Sequence, residues 1–297
     1  MSKEIEQPDI DKHYTDISSE VGTNWSSTML DREIREKEID NLITLILQVE
    51  RESDAATLRV LDVGCGNGYV AARLQCEFPF LTIDGIDTNL SMVECANSRG
   101  LPNTRFYNAS AAQLSTLEII PGTYDLVFST RCFINIIDED ERYQSINLTS
   151  KYVKEGGFLA LMEGFENGQV PYNLLRNALG YETIPPAWHN IYLDPIKLMK
   201  TLMNELDYFN ESQMEKIGLN QHFLSNRYLA MRVLLPLFKN DPDFFNSNRN
   251  DPIGLALSYL LPKTSNFSPL QLHLWKKIKN NLDGSKNSLD IISNDPT

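Results

Sequence analysis

The chain has 297 residues and a net charge of −13, from 40 acidic and 27 basic side chains. That balance opposes a nucleic acid or other polyanionic partner unless basic residues cluster strongly, and the modest cluster Lys276, Lys277 and Lys279 reads as a solvated strand face. With 42% hydrophobic and 23% charged residues the composition is that of an ordinary globular protein, and no apolar run approaches the roughly 18–20 residues of a membrane span. The opening MSKEIEQPDIDKHY holds no apolar core of a signal peptide, so a cytoplasmic, membrane-free location is expected. Cys65, Cys76, Cys95 and Cys132 lack C-x-x-C spacing and are expected to be reduced, packed thiols, with no metal site visible.

Residues up to about Lys12 read as a disordered tail, and residues 1–30 as that tail followed by a flap. Trp25, Ser26, Ser27, Asp31, Arg32 and Arg35 form a polar stretch with two readings. Either Arg32 or Arg35 meets a ligand carboxylate, or Ser27 and Asp31 cap a helix beside surface arginines. Ile34, Ile39, Leu42, Ile43, Ile46 and Val49 recur near helical spacing, which predicts an amphipathic helix over Asp31 to Arg51. The next stretch, VLDVGCGNGYVAARL from Val60 to Leu74, reads as strand, tight glycine turn and helix. Such a turn exposes backbone N–H groups at a helix N-terminus and lets a ligand approach the backbone closely.

Gly64, Gly66 and Gly68 give the spacing G-x-G-x-G, with the third glycine one residue earlier than in the dinucleotide fingerprint. Asp62 stands two residues ahead, where it can take the ammonium of an amino-acid ligand. The following apolar run, Leu81 to Ile86, ends at Asp87, placed to accept both hydroxyls of a ribose. At these residues the chain resembles the class I S-adenosylmethionine-dependent methyltransferases. The resemblance implies S-adenosylmethionine as cofactor, with Asp62, Gly64, Cys65, Gly66, Gly68, Asp87, Thr88 and Ser129 along its site. In this family the turn after the third strand often gives an aspartate to the adenine; here NASAAQL puts Ser110 and Ala111 there, and a serine hydroxyl accepts the same bond more weakly. Met92 either covers the adenine face or is a core methionine.

Strands expected at Leu81–Ile86, Thr104–Tyr107, Tyr124–Ser129 and Phe158–Glu163 alternate with helices expected at Ser91–Ser98, Ala111–Leu117 and Glu139–Val153. This pattern predicts an α/β fold with a parallel sheet, right-handed crossovers and a ligand rim at the carboxyl ends of the strands. KEGGF, Lys154 to Phe158, reads as a turn before the fifth strand. Residues 31–163 are therefore expected to be a Rossmann-like core and 164–195 a cap insertion. Residues 196–282 should hold a helix at Ile196–Leu206, strands at Tyr208–Ile217 and Leu270–Ile278, and a second helical cap at about 222–265. Residues 283–297 read as a loose tail. With the family's antiparallel closing hairpin, the resemblance implies a seven-stranded, mostly parallel sheet with helices on both faces.

Methyl transfer is an in-line displacement that gains from holding acceptor and methyl in line, and a hydroxyl acceptor gains further from a base within reach. His189, in the stiff PPAWHN loop, and Glu163, ending the fifth strand, are the candidate bases; the alternatives are a histidine packed beside Trp188 and a loop-capping carboxylate. Arg131, Arg176 and Arg227, with Trp188, Asn190 and Tyr192, are the candidate substrate contacts, and each arginine has an ion-paired surface reading beside it. The expectation is methyl transfer to an oxygen of a small molecule or sugar-type metabolite beneath two caps. Its rivals are a protein or peptide methyltransferase and a non-catalytic adenosylmethionine-binding protein.

Overall fold

The computed structural model describes residues 6–53, 55–264 and 266–278. Lys279 and the tail expected at 283–297 lie outside the described residues. Seven strands, β1 (Arg59–Val63), β2 (Thr82–Asp87), β3 (Thr104–Asn108), β4 (Tyr124–Thr130), β5 (Val153–Gly164), β6 (Leu206–Phe209) and β7 (Leu270–Lys277), form one sheet in the order β3-β2-β1-β4-β5-β7-β6. All neighbours are parallel except β7, which runs antiparallel to β5 and β6. The strand order reverses between β1 and β4, and in open α/β sheets ligands sit outside the carboxyl ends of strands at such a point.

Side chains alternate across each strand, so β1 sends Val60 to one face and Leu61 to the other. On the first face Val60, Ile83, Phe128 and Leu272 pack with Leu42 and Ile46 of α2 (Arg32–Glu52), Leu74 of α3 (Tyr69–Glu77) and Ala96 of α4 (Leu90–Ser98). On the second, Leu61, Val127, Leu161 and Trp275 pack with Ile146 of α5 (Glu139–Ser150) and Leu198 of a further helix, Pro195–Leu202. The expected helices on both faces of a mostly parallel sheet are therefore present.

Several local expectations need correction. The tail expected to be disordered carries helix α1 (Gln7–Val21) from its seventh residue, with a capping box between Glu6 and Asp9 and a proline in its first turn. KEGGF lies inside β5 as a bulge: Tyr124 pairs with Val153 but Leu126 with Phe158, and the intervening residues leave the register. The sixth strand stops at Phe209, because Asn210 caps a short helix, Glu211–Lys216, by accepting from the Gln213 N–H at 3.0 Å. The segment expected as a helix near Ala111 is a 3₁₀ turn, Ala111–Thr116.

The first cap contains α6 (Glu166–Ala178), followed by irregular chain to Asp194, and α7 is the Pro195–Leu202 helix. With Glu211–Lys216 as α8, the second cap contains α9 (Ser225–Leu229), a π-helical turn over Ala230–Leu234, α10 (Leu235–Lys239), α11 (Phe244–Ser247) and α12 (Pro252–Leu260). Among the described residues no helix is long and apolar enough to cross a membrane.

Candidate active site

The glycine turn is tied to the neighbouring strand by its own backbone. Gly64 and Cys65 both donate N–H bonds to the Ile86 carbonyl, at 2.8 and 2.9 Å. Gly64 has φ +81°, and a Cβ there would fall 2.5 Å from Cys132 Cβ, so the position demands glycine twice over. Asp87 faces this turn. Its Oδ2 accepts from Gly66 N–H and its Oδ1 from Asn89 N–H, both at 2.9 Å, which leaves each oxygen a further lone pair. Burial pushes its pKa up while these two N–H bonds hold it down.

Beside the turn lies a cavity of about 240 Å³. Asp87, Thr88, Met92, Ser110 and Ala111 line one side, Gly64 and Gly66 the turn, and Thr130, Arg131 and Cys132 the end of β4. Helix α1 contributes Gln7, Ile10, Asp11 and Tyr14. A smaller space of about 20 Å³ shares Thr28, Gly64, Gly66 and Thr130 with the first and adds Arg35, Asp62 and Cys65. Asp62 is only 2% exposed and its Oδ2 has no hydrogen-bond partner. Burial, then the charge of Asp87, pushes its pKa up to about 8. Arg35 Nε is likewise buried and unpartnered, and burial pulls the Arg35 pKa down to about 10. An acid and a base with spare hydrogen-bonding capacity thus adjoin one small space, which suits the two charges of an amino acid.

Residues 60–157 match the model of a family described as a methyltransferase domain. The matched segment carries the glycine turn and strands β1 to β4, and its likeness is to a methyltransferase domain. The chain is 28% identical over 117 residues to the trans-aconitate 2-methyltransferase of Deinococcus radiodurans, a match covering 39% of this chain and 42% of that protein. It is 24% identical over 128 residues to the malonyl-[acyl-carrier protein] O-methyltransferase of Halalkalibacterium halodurans, covering 42% of this chain and 46% of that one. The likeness thus spans less than half the length of either relative. A solved structure of the plantazolicin methyltransferase BamL, in complex with a triazolic desmethylPZN analog and SAH, is similar at a TM-score of 0.51 and 15% identity, covering 92% of this chain and 98% of that one. At that identity the likeness concerns the fold.

The remaining predicted residues fall into different places. Gly68, with φ +71°, packs a would-be Cβ 2.9 Å from Ala96 and so serves helix packing, outside the cavity wall. Met92 is 1% exposed, packed as a core methionine, and also reaches the cavity wall. Ser129 lies away from that wall. It is fully buried and donates to Glu163 Oε1 at 2.7 Å. Glu163 is fully buried as well: Oε1 also accepts from the N–H groups of Cys132 and Phe133 at 3.0 and 3.3 Å, and Oε2 from Ile134 at 3.3 Å. These bonds fix the turn after β4.

That turn carries Arg131 at φ +54°, a conformation costly for a side chain with a Cβ. Arg131 reaches the cavity wall, but its Nε and Nη2 meet Glu38 at 2.9 and 3.1 Å, so its charge is already paired. Arg176 donates to the carbonyls of Glu182, Arg232 and Pro242. Arg227 grips Asp31, the N-cap of α2, at 3.1 and 3.2 Å. Arg176 joins the two caps, Arg227 ties the second cap to α2, and neither lines the cavity.

His189 also lies off the wall, with its ring 4.9 Å from His13, 5.1 Å from Trp188 and 6.0 Å from Tyr14. Burial, then the charges of His13 and Arg131, pulls its pKa down to about 4. Asn190 closes a turn onto the Ala187 carbonyl at 2.9 Å, and Tyr192 lies over Gly164 at the end of β5. The PPAWHN loop is thus an aromatic seam against α1.

Tyr14, on α1, is the residue sequence reasoning passed over. Asn135 Nδ2 donates to its hydroxyl at 3.1 Å, and burial pushes its pKa up to about 12, so it meets the cavity as a neutral phenol. The helix is pinned by Asn89, whose Nδ2 donates to the Asp11 carbonyl at 3.0 Å and Thr15 Oγ1 at 2.8 Å. The proline and acid in its first turn, QPD, were the available signal.

The cysteines of the described chain are all free thiols, and no group of three or more potential metal ligands gathers among the described residues. Lys276 and Lys277 pair with Glu52 and Glu205.

Proposed function

We propose that the whole chain is an S-adenosylmethionine-dependent methyltransferase whose acceptor is an oxygen of a small molecule. The observation that carries this is the pair of acidic groups with spare capacity beside the glycine turn: Asp87 keeps a free lone pair on each oxygen, and Asp62 keeps an unpartnered one. In this reading Asp87 takes the ribose hydroxyls, Met92, Ser110 and Ala111 enclose the adenine, and Asp62 with Arg35 holds the amino-acid end. Bound there, the cofactor supplies a methyl group on a sulfonium. Tyr14, its oxygen already accepting from Asn135, has its own O–H left to donate towards the acceptor.

Support for a small acceptor comes from the caps, which build on the last connections of the sheet, and from the charge of −13, which opposes a polyanion. One relative's name specifies an O-methyltransferase, which favours oxygen over nitrogen. Calorimetric titration of S-adenosylhomocysteine tests the cofactor half, and release of S-adenosylhomocysteine with small acceptors tests the reaction. Tight binding without turnover across hydroxyl and carboxylate acceptors would leave a binding protein instead.

A further inference from the structure

Arg232 sits in the second cap on the π-helical turn Ala230–Leu234, between α9 and α10. Pro236, four residues on, has no N–H, so the Arg232 carbonyl loses the partner an α-helix would give it. Arg176 of the first cap supplies one instead, through Nη1 at 2.6 Å. The backbone beneath Arg232 is therefore locked by the neighbouring cap, and π turns of this kind recur at functional sites.

The side chain is held among aromatic rings. Its guanidinium carbon lies 4.4 Å from the Tyr228 ring centroid and 5.1 Å from that of Phe245. Tyr172 stands 6.0 Å from Tyr228, ring to ring, and the charge of Arg232 acts on the hydroxyls of Tyr172, Tyr192 and Tyr228 alike. Arg131 is paired with Glu38 and Arg227 with Asp31, but among the described residues no aspartate or glutamate forms an ion pair with Arg232. An arginine keeps its charge at any ordinary pH; the negative charge nearest in effect to Arg232 is that of Asp31, which Arg227 already holds, so its guanidinium keeps no carboxylate of its own. Tyr192 lies over Gly164, at the carboxyl end of β5, and the charge of Arg131 on the cavity wall reaches Tyr228. The cluster thus stands at the carboxyl end of the sheet, where the cofactor cavity also lies, with none of its four side chains on that cavity's wall.

We propose that Arg232, with Tyr172, Tyr192 and Tyr228, forms the subsite for an oxyanion, carboxylate or phosphate, carried by a small acceptor. The planar guanidinium takes two oxygens of such a group at once, the Tyr192 and Tyr228 phenols add donors, and the ring of Tyr172, whose hydroxyl donates to the Ile184 carbonyl at 3.4 Å, helps confine what the anion is attached to. The assignment rests on the methyltransferase reading for its purpose, though not for its anion chemistry.

The test uses the full chain loaded with S-adenosylhomocysteine and measures thermal stabilisation by malonate, D-glucuronate and glucose 6-phosphate, with neutral D-glucose beside them. Stabilisation by at least one anion and not by glucose is expected, and the carboxylate and phosphate arms separate the two sources. Arg232→Met should weaken that anion at least tenfold while leaving S-adenosylhomocysteine affinity unchanged; should this variant fold poorly, Tyr228→Phe gives the same comparison with a smaller loss. No stabilisation by any of the three anions, equal stabilisation by glucose, or full anion affinity in Arg232→Met would overturn the subsite. If S-adenosylhomocysteine fails to bind the wild-type protein while an Arg232-dependent anion shift persists, the methyltransferase reading falls and the anion site stands.

Discussion

The half of the molecule around β1–β4 and the half made by the caps bury charge in opposite conditions. Beside the glycine turn, Asp62 Oδ2 and Arg35 Nε are buried with no partner, and Asp87 spends only part of its capacity on Gly66 and Asn89. In the caps, Arg176 meets three carbonyls and Arg227 a carboxylate, with Arg227 Nη1 alone left over, and at the border Glu163 accepts four hydrogen bonds. A buried polar group whose bonds are complete stabilises the fold, whereas one left incomplete costs free energy until something binds. Residual capacity marks a binding group where it adjoins a cavity, as at Asp62 and Arg35; Arg227 Nη1 and Trp275 Nε1 are unpartnered too, but line neither space.

The largest effect should come from breaking a buried ion pair. Arg227→Met strands Asp31, 8% exposed, without its cation, and should cost about 3–5 kcal/mol of stability in urea denaturation. A loss below about 1 kcal/mol, the range of exposed pairs, would mean the second cap is not held to α2 through this charge. Next, Asp87→Ala should weaken S-adenosylhomocysteine binding by about 1.5–3 kcal/mol, roughly tenfold or more in dissociation constant. Unchanged affinity in the folded variant would remove Asp87 from the site.

Asp62 should respond in the reverse sense to Arg227. Its folded-state pKa of about 8 exceeds the ordinary 3.8, so the folded chain binds the extra proton between these values and Asp62 lowers stability as pH rises through that window. Asp62→Asn should therefore stabilise the unliganded protein at pH 8, by about 1–3 kcal/mol for one relieved buried group, while it abolishes the ammonium contact. The same linkage predicts proton release when an ammonium binds below pH 8. Titration at pH 7 in phosphate and in Tris should then give different apparent enthalpies for the wild type and equal ones for Asp62→Asn. A variant less stable than wild type at pH 8 would show that Asp62 is a completed group after all.

The same contrast decides what the sequence could tell. Gly64, Gly66, Asp62 and Asp87 were legible because their chemistry is local: a strand end, a turn needing positive φ, and an acid closing the next strand. The caps were legible as helices but not as chemistry, since the partners of Arg176 and Arg227 are carbonyls and a carboxylate up to 196 residues away. Helix α1 escaped because Ile10 is its one fully buried apolar side chain and its anchors, Asn89 and Asn135, lie far along the chain. Arg232 was hidden in the apolar run RYLAMRVLLPLF, where Pro236 was the clue that a carbonyl four residues back would need a partner from elsewhere.

The smallest effect is expected at His189, which sits on the boundary between the two halves. Its ring packs with His13, Tyr14 and Trp188, and with a pKa of about 4 it is neutral at pH 7 yet a weak acceptor for the proton of a hydroxyl. His189→Ala should therefore change turnover less than about tenfold, well short of the roughly 10²–10⁴ expected for a lost general base. Stability gives an independent reading. With the folded pKa depressed below the ordinary 6.5, the unfolded chain takes the proton first, so this histidine lowers stability as pH falls from 6.5 towards 4. Removing it should flatten the pH dependence of stability in that window and loosen α1, seen as faster amide exchange over residues 10–15. A loss of turnover by a factor of 10² or more, with cofactor affinity intact and the acidic limb of the rate profile gone, would instead make His189 the base and require the loop to carry it onto the cavity wall when the acceptor binds.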